Sequence, residues 1–220
     1  MRSRLLHSDR FARVETDLAA FLNLQDNFLT DRTAGSPRAI GDALQDLISD
    51  HFGDIVGQDI VKNYSKGFAR RAMADLAFED IDNLYYIVDV KTHMIDTKLN
   101  MPNLTSVERL TRFYEDDRNY FVVLMIAYNV RDLRLHIQKV HFVPVEFLSW
   151  SCLTIGALGW GQVQIANSNR IDVVASNSRR ARMLDLCATL LDFYPRAISK
   201  INERIAHFQA VQARWRARSD

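Results

Sequence analysis

A chain of 220 residues, 48% apolar and 25% charged, is long enough to bury a substantial core and excludes a disordered or fibrous polypeptide. Its formal charge of +1 argues against a uniformly basic nucleic-acid coat, but an acidic cluster can cancel a basic contact surface, so distribution decides more than the sum. The longest apolar run, Tyr120–Tyr128, is too short to cross a bilayer, and the first residues lack the apolar core of a secretory leader, so the cytoplasm is the expected location.

In chain order, Arg4–Leu24 spaces Leu5, Phe11, Val14, Leu18 and Phe21 as a helix does. A turn follows at Thr33-Ala-Gly-Ser-Pro37. Ser36 is placed to cap the next helix and Pro37 to open it, which predicts a helix over Ala39–Phe52 with Ile40, Leu44, Leu47 and Ile48 buried. Leu84–Val90 and Tyr120–Tyr128 are rich in β-branched and aromatic residues and read as buried strands. Between them Thr105–Asp116 has helical spacing. Leu133–Phe142 and Trp160–Ala166 read as further strands. Ser178–Trp215 is helical again, with Pro195 expected to end or kink it. The two cysteines, Cys152 and Cys187, lack disulfide or metal-ligand spacing and read as reduced core thiols. The pattern predicts an α/β (α+β) class: one domain over 1–220, with a helical part at 1–55, a mixed sheet and its neighbours at 70–167, and C-terminal helices at 178–216.

The chemistry concentrates in Ile87-Val-Asp-Val-Lys91. On a strand, residues two apart share a face, so Asp89 and Lys91 point one way while Val88 and Val90 enter the core. Glu79-Asp-Ile-Asp-Asn83 has turn composition. A hairpin centred on Asp82 would set Asp75 opposite Asp89. Two carboxylates and an ammonium at one strand end suit Mg²⁺, which takes few carboxylate ligands and keeps water. Such an ion stabilises charge on a phosphodiester and acidifies an attacking water, while a lysine can hold that water. The same spacing also fits a plain ion pair between Lys91 and a neighbouring acid. Asp42 and Asp46, one turn apart on the second helix, could bring a further carboxylate or simply face solvent.

The stretch Asp75–Thr92 resembles the active-site motif of the PD-(D/E)xK nucleases. Asp89-Val-Lys-Thr92, nine intervening residues and then Pro102-Asn103 is similar to the arrangement in type II restriction endonucleases of the EcoRV-like branch. The Ala34-Gly-Ser-Pro37 turn and the Gln162-Val-Gln164 strand after Trp160 are similar to elements of those enzymes, so the resemblance spans roughly residues 33–205. Ala74 stands where the motif's name has proline. The Asp75–Asp89 interval is one residue longer than in the member it follows most closely.

The resemblance implies a restriction-endonuclease-like fold and a homodimer that hydrolyses double-stranded DNA with Mg²⁺ at a short, palindromic site. It would leave 5′-phosphate and 3′-hydroxyl ends, beside a cognate methyltransferase in the same system. Asp75, Asp89 and the Val90 carbonyl would hold the metal, and Lys91 would serve the water. Thr92, Lys98, Asn100, Asn103, Gln162, Gln164 and Asn167 would contact DNA, with amide side chains suited to adenine in the major groove. Asn103 matches a base-contacting residue and Asn100 one that presses on the base stack. Without the resemblance these are ordinary loop and strand amides. A repair or recombination nuclease with the same motif, or a non-catalytic DNA-binding protein, are the competing expectations.

Overall fold

The computed structural model describes residues 2–25, 29–64, 74–97 and 100–218. In chain order these form α1 (Arg10–Asn23), a short α2 (Asp31–Ala34), α3 (Pro37–Val56), β1 (Val61–Tyr64), β2 (Leu76–Asp80), β3 (Tyr85–Met94), β4 (Asn103–Ser106), α4 (Val107–Phe113), β5 (Asn119–Arg131), β6 (Arg134–Pro144), β7 (Leu153–Gly156), β8 (Gln162–Ile165) and α5 (Arg179–Arg216). The class is mixed α+β. Two compact units result, Met1–Ser176 and Asn177–Asp220.

In the first unit a five-stranded mixed sheet runs in the order β1-β2-β3-β5-β6, and a three-stranded sheet in the order β4-β8-β7. The β2–β3 hairpin has the register expected from its turn, with Leu76 opposite Val88 and Glu79 opposite Tyr85. Asp80 tightens that turn: its Oδ1 accepts from the Asp82 and Leu84 amides, both at 2.9 Å. β5 then runs parallel to β3 and antiparallel to β6. Val88, Val122, Leu124 and Phe142 on one face join α3 in a single core, while Ile87, Phe121 and Val123 on the other face are buried too. Burial on both faces explains why the central strands read as continuous apolar runs.

α3 begins as expected. The Ser36 hydroxyl accepts from the Ala39 amide at 3.3 Å, Pro37 occupies the first turn, and Ile40, Leu44, Ile48, Phe52 and Val56 form the buried stripe. Leu47 is only half-buried against it. α1 starts at Arg10 rather than Arg4, because residues 4–8 fold as a turn. α4 is shorter than its apolar spacing suggested: Ser106 caps it by accepting from the Arg109 amide at 3.2 Å, and Thr105 belongs to a strand. Asn103 likewise lies on a strand, β4, which pairs with β8.

In the second unit, Ser178 caps α5 by accepting from the Ala181 amide at 3.1 Å. The helix continues through Pro195, so of the two expected outcomes there, an end or a kink, the end does not occur. A proline removes one amide donor, and where Leu191 is 75% exposed water can satisfy the carbonyl left without it. Cys187 is exposed, so only Cys152 is the buried thiol expected of both. Among the described residues no helix is long and apolar enough to cross a membrane.

Candidate active site

Asp89 and Lys91 stand side by side on one face of β3, with Lys91 Nζ 2.7 Å from Asp89 Oδ1. The Asp89 side chain is only 7% exposed and that of Lys91 23%. The second Asp89 oxygen, Oδ2, is buried and has no hydrogen-bond partner among the described residues. Burial pushes the Asp89 carboxyl up to about 7; Lys91 opposes that shift and the Asp75 charge adds to it. Thus Asp75 lies within electrostatic reach of Asp89, as the hairpin register implied.

Asp75 sits one step past the last paired residues of the β2–β3 ladder. Its amide donates to the Val88 carbonyl at 3.1 Å, and its own Oδ2 accepts the Val90 amide at 2.7 Å. The carboxylate therefore takes the place of a strand carbonyl and is fixed against the backbone of β3. The amide and carbonyl of one strand residue point to the same edge, so the Val90 carbonyl opens on the Asp75 side. Gln45 of α3 completes the arrangement by donating to Asp75 Oδ1 at 2.8 Å.

Gln45 rather than Asp42 or Asp46 is what α3 contributes; both of those acids are exposed on the outer face. One turn before Gln45, a Cβ on Gly41 would lie 2.8 Å from the Thr92 hydroxyl oxygen, so the glycine lets α3 lie close over β3. An isolated glycine within a helix pattern is the sequence signal that could have exposed this contact. Thr92 itself lies against α3, on the sheet face opposite Asp89 and Lys91. Among the described residues no group of three or more His, Cys, Asp and Glu side chains assembles. The pair Asp75 and Asp89, with a backbone carbonyl, suits an ion that keeps most of its water.

Of the residues expected to contact DNA, Thr92 packs under α3, away from the others, whereas Asn100, Asn103, Gln162, Gln164 and Asn167 lie on the small sheet and the segments at its end. Asn103 of β4 pairs with Gln164 of β8, and the Gln164 amide donates to Asn103 Oδ1 at 2.5 Å. Gly156 of β7 makes room for this amide, since a Cβ there would meet Gln164 Oε1 at 2.6 Å. Gln162 shares that face, while Val163 and Ile165 are buried behind it. Asn167 Oδ1 accepts the Asn169 amide at 3.0 Å and shapes the turn after β8. Lys98 lies outside the described residues.

Asn100 is tied into a brace that the sequence reading missed. His93, two residues beyond Lys91 on the same face, is 2% exposed. Its Nε2 lies 2.8 Å from Asn169 Oδ1, and Asn100 Nδ2 lies 3.4 Å from its Nδ1. Asn169 Nδ2 donates to the Thr97 carbonyl at 3.1 Å, which orients its oxygen to the ring and makes His93 Nε2 the donor. The Asn100 carbonyl in turn accepts from the Ser168 amide at 3.0 Å and hydroxyl at 3.1 Å. One buried imidazole therefore joins the end of β3 to both segments flanking the small sheet. His93→Ala leaves a cavity and removes both ring contacts, with an expected cost of about 2–4 kcal/mol. Equilibrium denaturation in urea measures it; an unchanged midpoint would dismiss the brace as a stabilising feature.

No family model matches the chain, and no curated protein matches it.

Proposed function

We propose that this protein is a Mg²⁺-dependent endonuclease of double-stranded DNA, with a restriction-endonuclease-like catalytic sheet, acting as a homodimer at a short palindromic site in the cytoplasm. The observation that carries the reading is the Asp89 carboxylate: buried, one oxygen without a partner, and held within electrostatic reach of a second carboxylate. Like charges so placed repel, and an unpartnered buried oxygen costs free energy, unless a cation occupies the space between them.

Asp89 Oδ2, the Asp75 carboxylate and the Val90 carbonyl would hold Mg²⁺, which when bound supplies charge stabilisation at the scissile phosphate and a more acidic water. Lys91, partly exposed beside Asp89, would orient a water for attack and offset charge developing on the phosphate. Gln45 and the Val90 amide keep Asp75 in position for this work. The polar face bearing Asn103, Gln162 and Gln164 offers paired amide donors and acceptors of the kind that read base edges.

A second reading has its own observation. The 2.7 Å contact between Lys91 and Asp89 is a good ion pair, and a non-catalytic DNA-binding protein could hold one for stability. That pair leaves Asp89 Oδ2 without an explanation.

Incubating the purified protein with plasmid DNA and Mg²⁺ separates the two. Discrete fragments that disappear in EDTA are the expected result, and sequencing their ends gives the site and the cut position. Intact plasmid across several substrates, with a folded protein, supports the binding-protein reading instead.

A further inference from the structure

We infer that α5 is a dimerisation helix that pairs with the same helix of a second copy of this chain, parallel and in register, as a two-stranded coiled coil. The inference rests on the second unit alone and does not depend on the active site.

Large apolar side chains recur along α5 at alternating intervals of three and four. Written as a heptad, position a holds Leu184, Leu191, Ile198, Ile205 and Gln212, and position d holds Cys187, Tyr194, Ile201, Phe208 and Trp215. The repeat is sustained from Leu184 to Trp215, a span of about 48 Å at the helical rise per residue. A strict 3.5-residue period is the signature of two helices supercoiling about each other, because a helix packed on a globular surface follows 3.6. These side chains face outward: Leu191 is 75% exposed, Ile198 58%, Ile205 51% and Phe208 67%. Pro195 falls at position e, off the seam.

The groove on this face has the composition that a helical partner of the same kind requires. It is lined by Ile201, Arg204, Ile205, Phe208, Gln209 and Gln212. The first four occupy positions d, g, a and d, the hole that receives an a side chain in a parallel pair. Ile205, Phe208, Gln209 and Gln212 occupy a, d, e and a, the next hole, which receives a d side chain. The helix thus carries two consecutive holes beside the knobs that would fill them.

Charge and polarity choose the orientation. In a parallel pair Arg204 at g faces Gln209 at e of the other copy, and Arg216 at e faces Val211 at g, so the flanks bring no like charges together. Gln212, the polar residue on the seam, meets its own copy and can exchange hydrogen bonds with it. Antiparallel pairing with matched layers instead sets Arg204 beside Arg204 and places Gln212 against Tyr194. Parallel pairing also brings the two exposed Cys187 thiols face to face at a d layer.

Sedimentation of the full chain at micromolar concentration tests the pairing, beside the double variant Ile201→Asp/Ile205→Asp. Both sites are at least half exposed in the single chain, so the variant keeps its fold, which circular dichroism checks. The expected result is a dimer whose Kd the double variant weakens at least ~100-fold. Mild oxidation with diamide is expected to link the wild-type dimer covalently, and Cys187→Ser to abolish the link without dissolving the dimer. A monomeric wild type, a dimer of unchanged affinity in the double variant, or a dimer that never cross-links through Cys187 overturns the proposal.

Discussion

On the proposed nuclease function, Asp89→Ala is expected to lower Mg²⁺-dependent DNA cleavage by roughly 10³-fold or more while leaving DNA binding in place. The expectation follows from the geometry: among the described residues Asp89 offers the one carboxylate oxygen of the site that is buried and unpartnered, and none of the other side chains of the site stands ready to replace it as a ligand. Lys91→Ala is expected to fall as far in rate, because an ammonium held 2.7 Å from Asp89 cannot be replaced by a solvent cation in a fixed place. Asp75→Asn should be milder on the fold than on the rate. Its single oxygen can still accept the Val90 amide, and Gln45 can turn its own amide over to accept from the new NH2 group, but the residue brings no charge to the ion. Single-turnover cleavage with saturating enzyme, alongside a DNA-binding titration in Ca²⁺, reads chemistry and binding separately. Cleavage by Asp89→Ala at near the wild-type rate would remove the residue from the metal site, and with it the main support for the nuclease reading.

How much of this was legible in the sequence differs by element. The β2–β3 register followed from the composition of a turn centred on Asp82, a local signal, and that placed Asp75 opposite Asp89. The cap at Ser36 and the buried stripe of α3 were equally local. Gln45 was not legible, since neighbouring acids at 42 and 46 drew attention for their charge. Which of them faces the sheet depends on the rotation of α3, and Gly41 against Thr92 sets that rotation through a tertiary contact. His93 was missed for the same kind of reason. A histidine after an apolar strand has many uses, and its partners Asn100 and Asn169 come from distant segments. β4 and β7 have four residues each, too short for a period to register, and they exist because β8 pairs with both. The heptad of α5 was fully present in the sequence, but expecting Pro195 to end or kink the helix drew attention away from its continuity.

Asp89 also makes stability and metal affinity depend on pH, with a sign that can be worked out. Its carboxyl lies near 7 in the folded chain against an ordinary value of 3.8. Below the ordinary value both folded and unfolded states are protonated and folding bears no penalty. As pH rises toward the folded value, the unfolded chain ionises first, and stability of the metal-free protein falls, by a few kcal/mol once pH exceeds 7. His141 acts in the opposite sense, because burial, aided by Lys139, lowers it from 6.5 to about 4. Its contribution is present above the ordinary histidine value and lost as pH falls through the folded one. The wild-type profile alone therefore mixes two slopes, and the difference between wild type and Asp89→Asn isolates the carboxylate. That difference is expected to shrink as pH is lowered from about 8 to about 5.5. A divalent cation bound at Asp89 must displace the proton, so the rise in Tm caused by Ca²⁺ is expected to be large at the higher pH and small at the lower. Asp89→Asn should abolish the Ca²⁺ effect at both. A Ca²⁺ stabilisation that is the same at the two pH values, or that survives in Asp89→Asn, places the ion elsewhere and leaves Asp89 and Lys91 as an ion pair.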